Sequence, residues 1–397
     1  MRLDDLQFDR PPLRVALFTG NYNYTRDGAT QALTRLVGHL REVEGARVRI
    51  YAPTAPDTPE TADLVAIPSI SLPGRPEYRL ALGLPPAARQ DLLAFAPDIV
   101  HLSTPDLLGF QAQKLARQDG TPVVASLHTR FETYLAYYGL GWLEPVVEQS
   151  LLSFYQRCDY VLAPTAAMAA TLADQGIRPD RARVWGRGVD RALFDPARRD
   201  LDWRRAQGFA DDDVVVLFFG RVVLEKGLAL FADAFERLRP AHPRVRALVV
   251  GEGPARPWLM QRLPDAVFTG FLAGADLARA VAGADVLLNP STTEAFGNVN
   301  LEAMASGLAV VCADLPNSRA LLSQGVDGLL CAPADAETYA AAIGRLLQRP
   351  GLRAALGDAA RAASARHDWP AELSTVAATY RDALAIAAGL RALEPAA

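Results

Sequence analysis

The feature that most constrains the fold is an alternation. Short runs of β-branched and apolar residues recur along the chain, with amphipathic stretches between them. In the first half the runs are Arg14–Phe18, Val48–Tyr51, Ile99–His101, Val123–Leu127 and Tyr160–Ala163. In the second half they are Val214–Phe219, Ala247–Val250, Ala266–Phe268, Asp285–Leu288, Ala309–Cys312 and Gly328–Leu330. Helical patterns such as Thr30–Leu40 lie between several of them. Continuous apolar runs mark strands buried on both faces, and strands joined by helices make parallel sheets. The predicted class is therefore α/β, with two doubly wound, Rossmann-like domains on either side of a cleft.

The charged stretch Asp195–Asp213 separates the two series and reads as a linker plus a surface helix. The expected domains are residues 1–194 and residues 195–370. Residues 371–397 are expected to form a helix that crosses back to the first domain. Another helix is expected over residues 335–347.

Composition excludes several functions. The 397 residues carry a net charge of −4, so no basic surface for nucleic acid is expected. No apolar run approaches the roughly 20 residues that span a bilayer. The opening Met1-Arg2-Leu3-Asp4-Asp5 does not read as a signal peptide. Cys158, Cys312 and Cys331 match neither a disulfide framework nor a zinc site. A cytoplasmic enzyme is the expectation.

The site candidates sit after predicted strands, where open α/β sheets bind ligands. Glu294-Ala295-Phe296-Gly297 follows the run Asp285–Leu288, and Leu301, Met304 and Ala305 open a helix pattern. Glu294 is placed in the loop and Glu302 just over one turn into the helix. Two carboxylates there can accept hydrogen bonds from sugar hydroxyls. They can equally be drawn as the acid/base pair of glycoside hydrolysis, but the setting favours hydroxyl binding. Gly220-Arg221 and Glu225-Lys226-Gly227 follow another strand. Only two of the 41 basic residues are lysines, Lys114 and Lys226. A lysine kept in such a loop suits a phosphate, since its ammonium is a compact point charge. Chance survival of a lysine codon and a solvated loop are the competing explanations. Cations in place at a diphosphate stabilise the charge that develops as the glycosidic bond breaks.

Gly251 and Gly253, in Gly251-Glu252-Gly253-Pro254, and Gly270, after Phe268, end further strands. They would let a flat base approach the backbone, although turn glycines are common. The first strand leads to a loop ending at Gly28, which is not Gly-x-Gly-x-x-Gly and disfavours a nicotinamide dehydrogenase. Gly28 can approach a phosphate or simply start a helix. His128 closes the run Val123–Leu127 and either contacts the donor sugar or is structural. Tyr134, Tyr137, Tyr138 and Trp142 form an aromatic wall or pack as core. Asp211-Asp212-Asp213 precedes a strand, at the wrong end of a sheet for a metal site, and no catalytic metal is expected. Arg75, Arg79 and Arg89, interleaved with Leu80, Leu82 and Leu84, make a modest cationic and apolar patch, or a surface helix.

Taken together, these motifs resemble the donor half of retaining glycosyltransferases of the GT-B fold, glycosyltransferase family 4. Asp98-Ile99-Val100-His101, Ser126-Leu127-His128-Thr129 and Arg187-Gly188-Val189-Asp190 extend the resemblance to the first half. Within the family it is similar to sulfoquinovosyl- and glucosyl-diacylglycerol synthases and to GDP-mannose-dependent α-mannosyltransferases. The resemblance implies that Arg221 and Lys226 hold the donor diphosphate and Glu302 the ribose hydroxyls. Glu294, with the backbone at Phe296 and Gly297, would hold the donor sugar. His128 would approach that sugar, and Gly28 would lie near the diphosphate. Ala29 stands where many relatives have a second glycine. The implied activity is metal-independent transfer of a hexosyl group, with retention, from a nucleotide sugar and without a further cofactor. A UDP-sugar and a membrane lipid such as diacylglycerol are the favoured pair, with peripheral contact at the inner face of the cytoplasmic membrane. GDP-mannose with a lipid or polysaccharide acceptor is the alternative. A nucleotide-binding protein without transferase activity is the reading from another class.

Overall fold

The computed structural model describes residues 11–22, 28–55, 58, 61–72, 75–128, 139 and 141–389. In chain order its first strands are β1 (Arg14–Phe18), β2 (Arg47–Pro53) and β3 (Leu64–Ile67), then a hairpin of β4 (Ser69–Leu72) and β5 (Arg75–Ala81). They are followed by β6 (Ile99–Leu102), β7 (Val123–Ser126), β8 (Tyr160–Ala163) and β9 (Ala182–Val184). Apart from the antiparallel hairpin they form one parallel sheet in the order β3-β2-β1-β6-β7-β8-β9. Strands β6, β7 and β8 are buried along their whole length, as expected for a sheet covered on both faces.

The second series is β10 (Val214–Phe219), β11 (Val245–Val250), β12 (Val267–Gly270), β13 (Val286–Asn289), β14 (Ala309–Ala313) and β15 (Leu329–Cys331). These make a second parallel sheet in the order β12-β11-β10-β13-β14-β15. Its two faces bury separate apolar clusters. One holds Phe218, Phe231 and Phe235, the other Phe219, Leu301 and Met304. Alternate residues of β10 therefore feed opposite cores, the period-two signature of a strand.

The chain divides into two units, each with its own core. Of the described residues, one contains those up to His128, Pro145–Trp185, and residues 370–389. The other is built on Gly186–Trp369. The helix Trp369–Ala387 is tied into the first unit by Arg183 to Asp382 at 3.1 Å and Arg381 to Glu44 at 2.9 Å.

Two expectations change. Arg75–Ala81 is a strand of the hairpin, so a helix reading survives only for Arg89, in the helix Pro86–Phe95. The stretch Asp195–Asp213 does contain a short helix, Leu201–Ala206, but it is not merely a surface element. Arg204 is buried, its guanidinium donating to the Gly283 carbonyl and to Asp213 O at 2.9 Å. Arg199 donates to Ala284 O at 2.8 Å and pairs with Asp285. Arginine forks dock this segment onto the turn before β13, where carbonyls would otherwise be buried without donors.

Candidate active site

In the second sheet β10 has β11 on one side and β13 on the other. The chain runs outward through β11 and β12, then returns to the far side of β10 for β13. The loops after β10 and β13 therefore diverge at a topological switch point, the place where doubly wound sheets open a crevice.

Lys226 lies in the first of these loops and Glu294 in the second. Their side chains meet, with Nζ 2.7 Å from Oε1, and only 17% and 19% of their side-chain surfaces are exposed. Thr293 Oγ1 donates to the Glu225 carbonyl at 3.0 Å, a second tie between the same loops. Burial disfavours the Glu294 carboxylate. The charge of Lys226, hydrogen bonds from Lys226 and Ser291, and the charge of Arg221 outweigh that cost and hold Glu294 below its ordinary value. Arg221, Lys226 and Glu294 thus act as one electrostatic group.

The sign of that shift gives a prediction. A lowered folded pKa means stability that is present above the ordinary value of 4.5 and lost as pH falls through the folded value. Glu294→Gln is expected to flatten the acid limb of the stability–pH curve, read as unfolding midpoints in urea below about pH 5. An unchanged acid limb would show that the carboxylate is not held by these cations.

Three asparagines shape the Glu294 loop, and none of them stands out in the sequence motifs. Asn289 Nδ2 donates to Asn300 Oδ1 at 2.9 Å, and Asn289 Oδ1 accepts from Ser291 N at 3.2 Å. Asn317 Nδ2 donates to the Glu294 carbonyl. The available signal is polarity out of place: Asn289 ends a strand whose residues are all buried, and such a group must find partners.

Phe296 turns its ring into the core, edge-on to His367 with centroids 6.0 Å apart, so only its backbone is left for a ligand. Gly297 precedes the helix Asn298–Ala305. Glu302 is half-buried just over one turn into that helix, as the spacing predicts. Phe268 lies in β12, with the Arg256 guanidinium over its ring at 5.7 Å.

Gly251 and Gly253 have a reason to be glycine that is internal to the fold. A Cβ on Gly251 would lie 1.9 Å from the Gly220 carbonyl oxygen, and one on Gly253 would lie 2.3 Å from that of Val222. Val222 N also donates to Glu252 O at 2.8 Å. The glycines admit the neighbouring loop, the one that carries Arg221 and Lys226.

The other two candidates belong to the first unit. Gly28 opens the helix Gly28–Glu42, and residues 23–27 before it lie outside the described residues. His128 follows β7, with Nε2 2.8 Å from Ser126 Oγ and its ring edge-on to Trp185. Of the aromatic wall, Tyr134, Tyr137 and Tyr138 lie outside the described residues, and Trp142 is 74% exposed. Each residue of the Asp211–Asp213 run faces an arginine: Arg205, Arg244 and Arg246 respectively.

Residues 26–193 match the family model Glycosyltransferase Family 4, and residues 213–349 match Glycosyl transferases group 1. A sulfoquinovosyl transferase of Arabidopsis thaliana is 31% identical over 377 residues, 92% of this chain and 72% of that protein. The chain belongs to glycosyltransferase family 4. It is an enzyme of the glycosyl-transferring class, not a nucleotide-binding protein without that activity. A GDP-mannose-dependent alpha-mannosyltransferase of Mycolicibacterium smegmatis is 33% identical over 373 residues, 90% of this chain and 94% of that one. The transferase has the GT-B fold. The crystal structure of Anabaena HepE in complex with UDP and glucose superposes with a TM-score of 0.74 at 21% identity, covering 93% of this chain and 100% of that one.

Proposed function

We propose that the transferase moves a hexosyl group from a UDP-sugar to a membrane lipid such as diacylglycerol, with retention and without a metal. The observation that carries the donor side is the Lys226–Glu294 pair at the switch point. A cation and a carboxylate side by side match a sugar diphosphate, which offers anionic oxygens next to hydroxyls. Lys226 and Arg221 take the diphosphate, and Glu294 accepts hydrogen bonds from the sugar. As the C1–O bond to phosphate breaks, negative charge gathers on the diphosphate, and fixed cations stabilise it most in the transition state. The acceptor oxygen bonds to C1 on the same face, and its proton passes to the leaving phosphate oxygen. Glu294, committed to Lys226, is a hydroxyl clamp in this scheme rather than a nucleophile.

The named relatives support a lipid acceptor. They include an alpha-monoglucosyldiacylglycerol synthase of Streptococcus pneumoniae. A second reading, GDP-mannose as donor with a lipid or polysaccharide acceptor, has its own support in the mannosyltransferase that matches along nearly its whole length. The deciding experiment offers UDP-glucose, UDP-glucuronate, UDP-galactose and GDP-mannose to purified protein with total lipid extract, and weighs the products. Hexosyl lipid from a UDP-sugar is expected. Mannosylated product from GDP-mannose alone would establish the second reading.

Glu302→Ala is expected to raise the donor KM about 10-fold or more while kcat changes little, because ribose contacts are equal in ground and transition states. A fall in kcat at unchanged KM would remove Glu302 from the ribose site.

Among the described residues, no helix is long and apolar enough to cross a membrane. Peripheral association is supported by Ile70, Leu80 and Leu82, which are exposed on and beside the β4–β5 hairpin. Flotation with phosphatidylglycerol vesicles tests it: protein that stays at the bottom of the gradient would point to a soluble acceptor.

A further inference from the structure

Four side chains of the first unit form a continuous hydrogen-bonded line. Tyr380, on the helix Trp369–Ala387, has its hydroxyl 2.5 Å from His101 Nδ1. His101 Nε2 is 2.9 Å from Ser126 Oγ, and Ser126 Oγ is 2.8 Å from His128 Nε2. Tyr380 and His101 are wholly buried and Ser126 nearly so. The buried Trp185 lies edge-on to both imidazoles, at 6.2 Å from His101 and 5.4 Å from His128. The transferase reading uses only the last member of this line.

Counting protons gives the line a direction. The buried Tyr380 hydroxyl has His101 as its hydrogen-bond partner. If His101 donated to it, the tyrosine proton would be buried without an acceptor, at a cost of about 1–3 kcal/mol. Tyr380 therefore donates to Nδ1. A neutral imidazole that accepts at one nitrogen carries its proton on the other, so His101 Nε2–H donates to Ser126. Ser126 then donates its own proton to His128 Nε2, and neutral His128 carries its proton on Nδ1. Burial pushes His101 down to about 3 and raises Tyr380, so both stay neutral at ordinary pH and the direction does not reverse.

We propose that Tyr380 is a positioning residue that sets the tautomer and orientation of His128 through His101 and Ser126. The group that sets it comes from the last helix of the described chain, which closes on the first unit after the whole second unit has been traversed. That the tautomer matters for transfer rests on the reading of His128 as a sugar-contacting group. The tautomer itself does not rest on it.

The experiment uses the full chain labelled with ¹⁵N at histidine, with the His128 signals identified by their loss in His128→Gln. In the parent protein His128 is expected to be protonated at Nδ1, with Nε2 showing the shift of an unprotonated, hydrogen-bonded nitrogen. Tyr380→Phe keeps the ring and removes the hydroxyl, and Ser126→Ala breaks the line in the middle. Both are expected to move the two His128 nitrogens toward the mixed-tautomer average, and to lower kcat about tenfold at unchanged donor KM. His128 protonated at Nε2 in the parent protein overturns the proposal without any variant. So does a His128 signal that responds to Ser126→Ala but not to Tyr380→Phe. A tautomer that shifts in both variants while turnover holds leaves the relay standing and removes His128 from the transfer step.

Discussion

Lys226→Ala is expected to lower kcat/KM for glycosyl transfer by about 10²–10³-fold in a protein that remains folded. The lost ammonium is one of two cations in the loop after β10, and no other lysine than Lys114 exists to replace it. A second effect follows from the pairing at 2.7 Å. Without Lys226, burial of Glu294 is opposed only by Ser291 and the Arg221 charge. The carboxylate pKa rises, so the residual activity of the variant is expected to fall away at higher pH on the acid side than that of the parent. The two residues are also coupled. Lys226→Ala and Glu294→Ala together should cost less than the sum of the two alone, because each single change already leaves the other charge without its partner. Lys226→Arg should restore only part of the loss, since a planar fork does not occupy the place of a point charge. Steady-state kinetics at several pH values check all of this. Full activity in Lys226→Ala would take the residue out of the donor site.

The largest effect on stability is expected at Gly251. Its φ is +140°, which L side chains rarely adopt, and its Cβ would sit 1.9 Å from a backbone oxygen of Gly220. No rotamer relieves a clash between Cβ and backbone. Gly251→Ala is therefore expected to destabilise the second unit by about 3 kcal/mol or more through strain and overpacking together. That corresponds to a thermal midpoint roughly 10 °C lower. Gly325→Ala is the control: its φ of +73° is also positive, but nothing lies within 4 Å of the added carbon. It should cost only about 1 kcal/mol. Equal midpoints for the two variants would show that the close approach of the β10 and β11 loops is not what demands glycine.

Much of this architecture is legible in the order of residues alone. Arg14–Phe18, Tyr160–Ala163 and Val214–Phe219 form strands with the bounds read from the chain. Each is a dense apolar run with a strand on either side in its sheet, where burial on both faces leaves little freedom in composition. Strands β3, β4, β5 and β9 carry no such mark. β4, β5 and β9 mix polar and apolar residues, and β3, although apolar, closes one edge of the first sheet as β9 closes the other, so burial on two faces does not reveal them. The helix reading at Arg75–Ala81 fails for a related reason: interleaved arginines and leucines over a few residues satisfy either period. The segment Asp195–Asp213 resembles solvated charge because periodicity does not reveal a buried guanidinium such as that of Arg204.

The candidate site divides in the same way. Its residues can be named from motifs, since Arg221, Lys226, Glu294 and Glu302 all follow strands in the α/β pattern. The glycines differ in kind from what their spacing suggests: Gly251 and Gly253 accommodate a neighbouring carbonyl of the protein itself. His101 is marked as polar within a buried apolar strand, but Tyr380 is invisible as its partner, because 279 residues separate them.

By itself, the sequence determined the α/β class, the two series of strands, the family motifs and the roster of charged and glycine residues at strand ends. These are local properties, carried by side-chain periodicity and by spacing within one strand-loop-helix unit. The tertiary structure alone decided which of them meet. Lys226 and Glu294 are 68 residues apart and become neighbours only because β13 returns to the far side of β10. Strand order is chosen by packing over the whole sheet, and no local pattern in the chain encodes it.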